Sequence, residues 1–251
     1  MSVFVSSGSA SRFSNLRVQN LLLYSFVVVS GFFIIFPQTD LIVSRYFFKA
    51  GSFYFSHNPN WIALRDFHRL SQWYLLVSMV TLVALYALWR HPLSIIAPHK
   101  VVYVVLTYAL GPGVLVHSLK LLIGRARPRN LVEFGGTTDF TPAWQLARMC
   151  GHSCSFPSGE SSAAAAMLPL LILVPARFRL NVAVILVPVL ALVSLNRVFM
   201  GAHFLSDVVI AWTLIIGLMI WLWSRISRHA DVIDGWVRLR GQNLRMWLYV
   251  R

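Results

Sequence analysis

Charge is scarce in this sequence. Asp, Glu, Lys and Arg together make up 12% of 251 residues, and only 8 residues are acidic. A soluble domain carries about 25% charged residues, so an ordinary water-facing globular surface is excluded. Cysteine is equally rare, at two residues, which excludes a disulfide-dense secreted scaffold. No apolar heptad with flanking charges recurs, which excludes a charged coiled coil, and 57% hydrophobic residues exclude a disordered chain. Also missing are an internal repeat, a low-complexity tract, a glycine-rich nucleotide loop, a nucleic-acid module and a convincing metal-ligand pattern.

What is present is apolar sequence in blocks long enough to cross a hydrocarbon layer, which takes about 20 residues each. Six blocks fall near 21–36, 73–90, 100–123, 158–175, 181–199 and 204–224. They predict an all-α polytopic membrane protein, with six transmembrane helices in residues 1–224 and a basic amphipathic tail at 225–251. Pro169 and Pro188 lie inside blocks, where they are expected to kink a helix without ending it. The stretch from Thr39 to Trp73 is too polar to span and too aromatic for a free linker. One or two short interfacial helices are expected there, broken at Asn58-Pro59.

Charge placement orients the chain. With a cytoplasmic amino terminus, the inner side holds twelve basic residues, from Arg12 and Arg17 to Arg245 and Arg251, against Asp231 and Asp234. The outer side is far less basic, and the positive-inside bias therefore places both termini in the cytoplasm. The net charge of +14 is spread over membrane-flanking positions, which points to anionic lipid and away from nucleic acid. Arg12 and Arg17 precede a full first block without a clear small-residue cleavage site, so that block is expected to remain as a span.

Three polar clusters stand out against this background. Lys120, Arg125, Arg127 and Arg129 lie within ten residues at the outer end of the third block. Charges there must snorkel, pair or bind something, and four cations together suit an anion, with guanidinium forks matched to phosphate oxygens. FPSGESS opens the fourth block, where Ser158, Gly159 and Ser161 offer hydroxyls and first-turn amides as an anion cradle. As bare physics, Glu160 is equally an acid that stabilises a helix start. NRVFMGAHFLSD joins the fifth and sixth blocks, with His203 and Asp207 four residues apart and one helical turn expected to bring them onto one face. A carboxylate beside one imidazole nitrogen leaves the other free as a nucleophile; alone, the pair reads equally as a packing hydrogen bond or a proton relay. The six-block topology brings all three clusters to the outer surface.

The residues Lys120, six intervening positions and Arg127-Pro128, then Pro157-Ser158-Gly159, then Arg197, five positions, His203, three positions and Asp207 closely resemble the three-part signature of the type 2 phosphatidic acid phosphatase superfamily. The resemblance implies a six-helix membrane lipid phosphatase with its site facing the periplasm of a bacterial inner membrane. His203 would attack phosphorus to form a phosphohistidine, and Asp207 would orient it. Lys120, Arg127 and Arg197, with Ser158 and the Gly159 amide, would hold the phosphoryl oxygens, and no metal or other cofactor is implied. Two departures stand out. Glu160 replaces the usual His that protonates the leaving group, and Asn196 replaces a Ser as an amide donor. Either Glu160 supplies the acid, or it orients Lys or water while His152 substitutes.

The partners expected are the bilayer and a lipid phosphate: lipid A, undecaprenyl diphosphate, phosphatidylglycerol phosphate or phosphatidic acid, with lipid A favoured. The oligomeric state is not readable. Transfer of phosphate between lipids is the alternative chemistry, and a lipid or anion transporter the alternative class, although no inverted repeat supports it. Cys150 and Cys154 either pair, in an oxidising compartment, or remain two small packed residues.

Overall fold

The computed structural model describes residues 7–88, 97–151 and 154–249. It is mostly helical, in the order α1 (Ser7–Ile35), α2 (Gln38–Phe47), a hairpin of β1 (Phe48–Lys49) and β2 (Ser52–Phe53), α3 (Pro59–Leu88), α4 (Pro98–Tyr108), α5 (His117–Ile123), α6 (Gly159–Ala165), α7 (Ala176–Phe199), α8 (Leu205–Ile226) and α9 (Ala230–Tyr249). Among the described residues, four helices are long and apolar enough to cross a membrane, or five if α1 and α2, which meet at 77°, form one broken span. Six were expected. The shortfall falls on the fourth block, where α6 ends after Ala165 and only a 3-10 segment, Leu168–Leu173, follows. Pro169 has no amide for the bond to residue 165 and its ring crowds that carbonyl, so it ends the α-helix where a kink had been expected. Pro188 stays inside an unbroken α7.

The first outer segment corrects a boundary. Helix α3 starts at Pro59, well before the expected residue 73. Proline suits a first helical position, and the Asn58 side chain accepts from the Asn60 amide at 3.0 Å. Asn58-Pro59 is thus the break expected, and α2 and the 3-10 turn Tyr54–His57 are the short helices. The hairpin, pairing Phe48 with Phe53 and Lys49 with Ser52, was not foreseen. Its Phe53 packs with Leu41, Ala126, Leu131, Phe134 and Phe204 in a buried cluster, which seats the loop after α5 and the turn before α8 on α2.

Helix α6 is the centre of the bundle. Ala163, Ala164, Ala165 and Ala166 are all buried, and such small side chains let neighbouring backbones approach closely. Helices α7 and α8 pack against it. Conversely Tyr24, Val28, Val184 and Ile185 are exposed by about two-thirds, as expected of an apolar rim facing lipid. Between α4 and α5 the chain widens into a π-helix at Ala109–Val116 containing Pro112, a disturbance of the helical ladder of the kind found at functional sites. The tail is docked: in α9, Asp234 receives His99 Nδ1 at 2.7 Å and Arg245 donates to the Leu88 carbonyl at 3.0 Å. Cys150 and Cys154 are disulfide-bonded, with Cα atoms 5.5 Å apart.

Candidate active site

The three motifs converge on one cavity of about 690 Å³, whose wall includes Lys120, Arg127, Gly159, Glu160 and His203. Each arrives by a local rule. Lys120 sits on α5 one turn before Gly124, whose left-handed φ of 63° closes the helix as its N–H donates to the Lys120 carbonyl at 3.0 Å. A side chain at 124 would meet the Arg148 backbone at 2.9 Å, so this sharp exit requires glycine. Lys120 is largely buried, and its ammonium donates to the Cys154 carbonyl, with the Ser155 carbonyl at 3.5 Å. The disulfide-closed segment therefore fixes the direction of the lysine.

Ser158 is the N-cap of α6: its hydroxyl accepts from the Ser161 amide at 3.2 Å and is 2.7 Å from the Ser161 hydroxyl. Its own amide donates to the Asp207 carbonyl at 3.0 Å, stitching the second motif to the third. Both polar groups of Ser158 are engaged inside the protein, and it is not among the residues lining the cavity. Gly159 faces Lys120, where an added Cβ would lie 3.5 Å from Lys120 Cε, an ordinary contact. Asn196 is fully buried and donates to the Trp61 carbonyl at 2.9 Å, tying α7 to the start of α3 with no approach to the cavity.

His203 lies in the turn before α8, not on the helix as the four-residue spacing had suggested. The turn follows Gly201 at φ 63°, where a side chain would overlap the Phe53 ring. Asp207 occupies the third helical position and accepts the Phe204 amide at 2.9 Å, a capping geometry that draws it back toward His203. Nδ1 of His203 and Oδ2 of Asp207 are 3.5 Å apart, longer than a formed hydrogen bond; such contacts tighten in a loaded site. The same Asp207 oxygen accepts from the Ser155 hydroxyl. Burial pushes the His203 imidazole down to about 4, opposed by Asp207 and assisted by Lys120 and Arg127. It is therefore neutral at pH 7, the form in which an imidazole nitrogen keeps a free lone pair.

Glu160 is not free. It forms ion pairs with Arg197 and with Arg69 of α3, the latter at 2.6 Å. Arg69 and Gln72 both line the cavity, as does His117, one turn before Lys120. Sequence reasoning missed all three. A signal existed: Arg65, His68, Arg69 and Gln72 recur at helical spacing and form one polar stripe on α3. Arg125 corrects the expected four-cation patch. It is fully buried and points away from the cavity, pairing with Asp207 at 2.6 Å and Asp40 at 2.9 Å. Arg129 is exposed, and His152 lies outside the described residues. Besides the charged groups, Leu76, Val105, Tyr108, Pro112 and Leu121 give the wall a largely apolar part.

The family model of the PAP2 superfamily matches residues 100–231. A lipid A 4′-phosphatase of Rhizobium etli is 31% identical over 211 residues, 76% of this chain and 80% of that protein. One from Rhizobium leguminosarum is 42% identical over 107 residues, 42% of this chain and 46% of its own length, so the chain spans less than half of that relative. Among solved structures, a PAP2-type phosphatidylglycerolphosphate phosphatase from Bacillus subtilis superposes with a TM-score of 0.57 at 19% identity, over 84% of this chain and 96% of that one; this likeness concerns the fold.

Proposed function

The chain belongs to the PAP2 superfamily, and from that premise we propose that it is a membrane lipid phosphatase acting on lipid A. The carrying observation is the cavity itself, which a neutral imidazole and a cluster of cations share with a set of apolar side chains. A phosphate on an acylated headgroup fits that polarity, with the phosphate among the cations and the lipid against the apolar side chains. The family relatives that match 71–76% of this chain are named lipid A 4′-phosphatases, which favours the 4′-phosphate as the one removed.

In this reading, His203 Nε2 attacks phosphorus in line with the departing oxygen. The N–P bond forms as the P–O bond breaks, and Asp207 balances the charge that develops on the imidazole. Lys120, Arg127 and Arg197 hold the equatorial oxygens, the dominant need in phosphoryl transfer, and the first-turn amide of Gly159 joins them. Water then attacks the phosphohistidine and releases inorganic phosphate. Two arginines against Glu160 favour its carboxylate form, so Glu160 positions Arg197 and Arg69. His117, one turn from Lys120 on α5 and lining the same cavity, is then assigned as the proton donor to the leaving group.

Six membrane crossings, both termini in the cytoplasm, an inner-membrane location and a site facing the periplasm complete the proposal, with residues 225–251 as a cytoplasmic tail. The α6 to Leu173 segment would cross as a shortened span surrounded by other helices. The basic flanks Arg177, Arg179, Arg225 and Arg228 support this orientation. The test is purified protein in detergent with bisphosphorylated lipid A, beside phosphatidic acid, phosphatidylglycerol phosphate and undecaprenyl diphosphate. Release of phosphate from the 4′ position of lipid A is expected. Turnover of another substrate alone would shift the specificity, and failure of folded protein to hydrolyse any of the four would refute the function.

A further inference from the structure

Behind His203 lies a cluster of which the phosphatase reading uses Asp207 alone. Arg125 has no solvent exposure and spends its donors inside the protein. Nε donates to the Thr141 carbonyl at 2.8 Å, Nη1 to Asp207 Oδ1 at 2.6 Å and to the Ser206 hydroxyl at 2.8 Å, and Nη2 to Asp40 Oδ2 at 2.9 Å. The guanidinium lies over the Phe204 ring, 4.1 Å from its centroid. Asp40 is also fully buried; it accepts the Ser206 amide at 2.9 Å and the Ser206 hydroxyl. One cation is thus shared by two buried carboxylates, one of which faces His203.

Burying three charges is costly, and an apolar cluster of the same volume would hold α2, the α5 loop and α8 together at least as well. The charge arithmetic supplies a different reason. Arg125 with Asp207 alone is neutral, and its field would cancel much of the carboxylate's effect on the imidazole. Burial pushes the Asp40 carboxyl up, opposed by Arg125 and the Ser206 hydroxyl; with Asp40 ionised on the far side of the guanidinium, the cluster carries one net negative charge, and its outlet is Asp207.

We propose that Asp40 and Arg125 are positioning residues for the phosphoryl transfer: Arg125 fixes the Asp207 carboxylate, and Asp40 offsets Arg125 so that a full negative charge faces His203. The catalytic consequence rests on His203 being the nucleophile, since the charge that the cluster stabilises is the one that forms on the phosphorylated imidazole. The other charged groups facing His203 are Lys120 of α5, Arg127 of the following loop and Glu160 of α6; none of them changes in the variants below.

The test reads the imidazole directly and needs no turnover. Protein labelled with 15N-histidine is titrated in detergent micelles, with the His203 signal assigned by its loss in His203→Ala. Arg125→Gln removes the cation and should raise the proton affinity of His203 by about tenfold or more, the effect of a nearby charge on a buried group. Adding Asp40→Asn in that background should lower it again, and Asp40→Asn alone should bring it below the wild type. Opposite shifts that cancel in the double variant are not produced by mere loosening of the fold. Equal titration in all the proteins would overturn the proposal. If Arg125→Gln is not recovered folded, Asp40→Asn carries the test alone: unchanged titration overturns the proposal and a lowered midpoint supports it. In the parallel activity assay, Asp40→Asn should lower kcat on the order of 10- to 100-fold, as loss of outer partners of site residues does, with KM unchanged. Retained activity in His203→Ala would instead refute the nucleophile, whatever the titrations show.

Discussion

Glu160→Gln separates the possible roles of the departure in the second motif. The carboxylate is paired with Arg197, which is buried, and with Arg69, whose side chain is about half exposed. Arg197 is also a proposed ligand of the phosphoryl group, so the carboxylate and the phosphate compete for one guanidinium. At about 6 Å and an effective dielectric constant of about 20, two unit negative charges repel by roughly 3 kcal/mol. Part is lost because solvent and Arg69 screen the carboxylate. A net gain of about 1.4 kcal/mol is a tenfold change in affinity, and we expect inorganic phosphate to inhibit Glu160→Gln about tenfold more tightly than the wild type. Turnover should fall, because a tightly held product leaves slowly and Arg197 loses its support. The fall should be of equal size at every pH, since no proton donor has been removed. The assay is product inhibition against a lipid phosphate in detergent, run from pH 5 to 8. Weaker or unchanged inhibition by phosphate would refute the competition, and a defect confined to high pH would restore Glu160 as the acid.

The remaining expectations concern single groups. With the imidazole of His203 near 4, kcat/KM corrected for substrate ionisation should hold from pH 7 down to about 5 and fall only as His203 takes up a proton; an acid limb at the ordinary histidine value would contradict the burial. The same sign applies to stability: a depressed His value contributes in full above the unfolded value of about 6.5 and is lost as pH falls from there through about 4, which thermal unfolding across that range would show. Gly201→Val combines a positive φ with overlap on the Phe53 ring and should sharply reduce recovered folded protein, whereas Gly159→Ala, with ordinary contact to Lys120, should fold normally. His117→Ala should lower turnover on substrates with a poor leaving group far more than on an aryl phosphate, whose leaving group needs no proton; equal losses on both would remove His117 from the acid role.

The sequence carried the membrane class and the convergence of three motifs because both depend on composition and spacing. Scarce charge made Lys120, Arg127, Glu160, Arg197, His203 and Asp207 visible against apolar blocks. Spacing could not say which way a side chain points. Arg125 and Arg127 are two residues apart in one basic run, yet one is sealed behind Asp207 and the other lines the cavity, a difference set by Phe204 and Asp40 from distant segments. Ser158 matched the motif, but its hydroxyl was taken by a helix cap. The fourth block was long and apolar enough by composition, while the break after Ala165 depended on the effect of Pro169 on its neighbours. Arg69 and Asp40 lay in an outer segment that read only as short interfacial helices, and only the packing of α2 and α3 brought them to the site.

The most direct test of the central claim is a base-quenched trapping experiment with lipid A labelled with 32P at the 4′ position, comparing wild type with His203→Ala. A phosphohistidine is stable in base, so label on the wild-type protein that is absent from the folded variant, together with release of labelled inorganic phosphate by the wild type alone, is the predicted result. Phosphate release by folded His203→Ala at the wild-type rate would contradict the account.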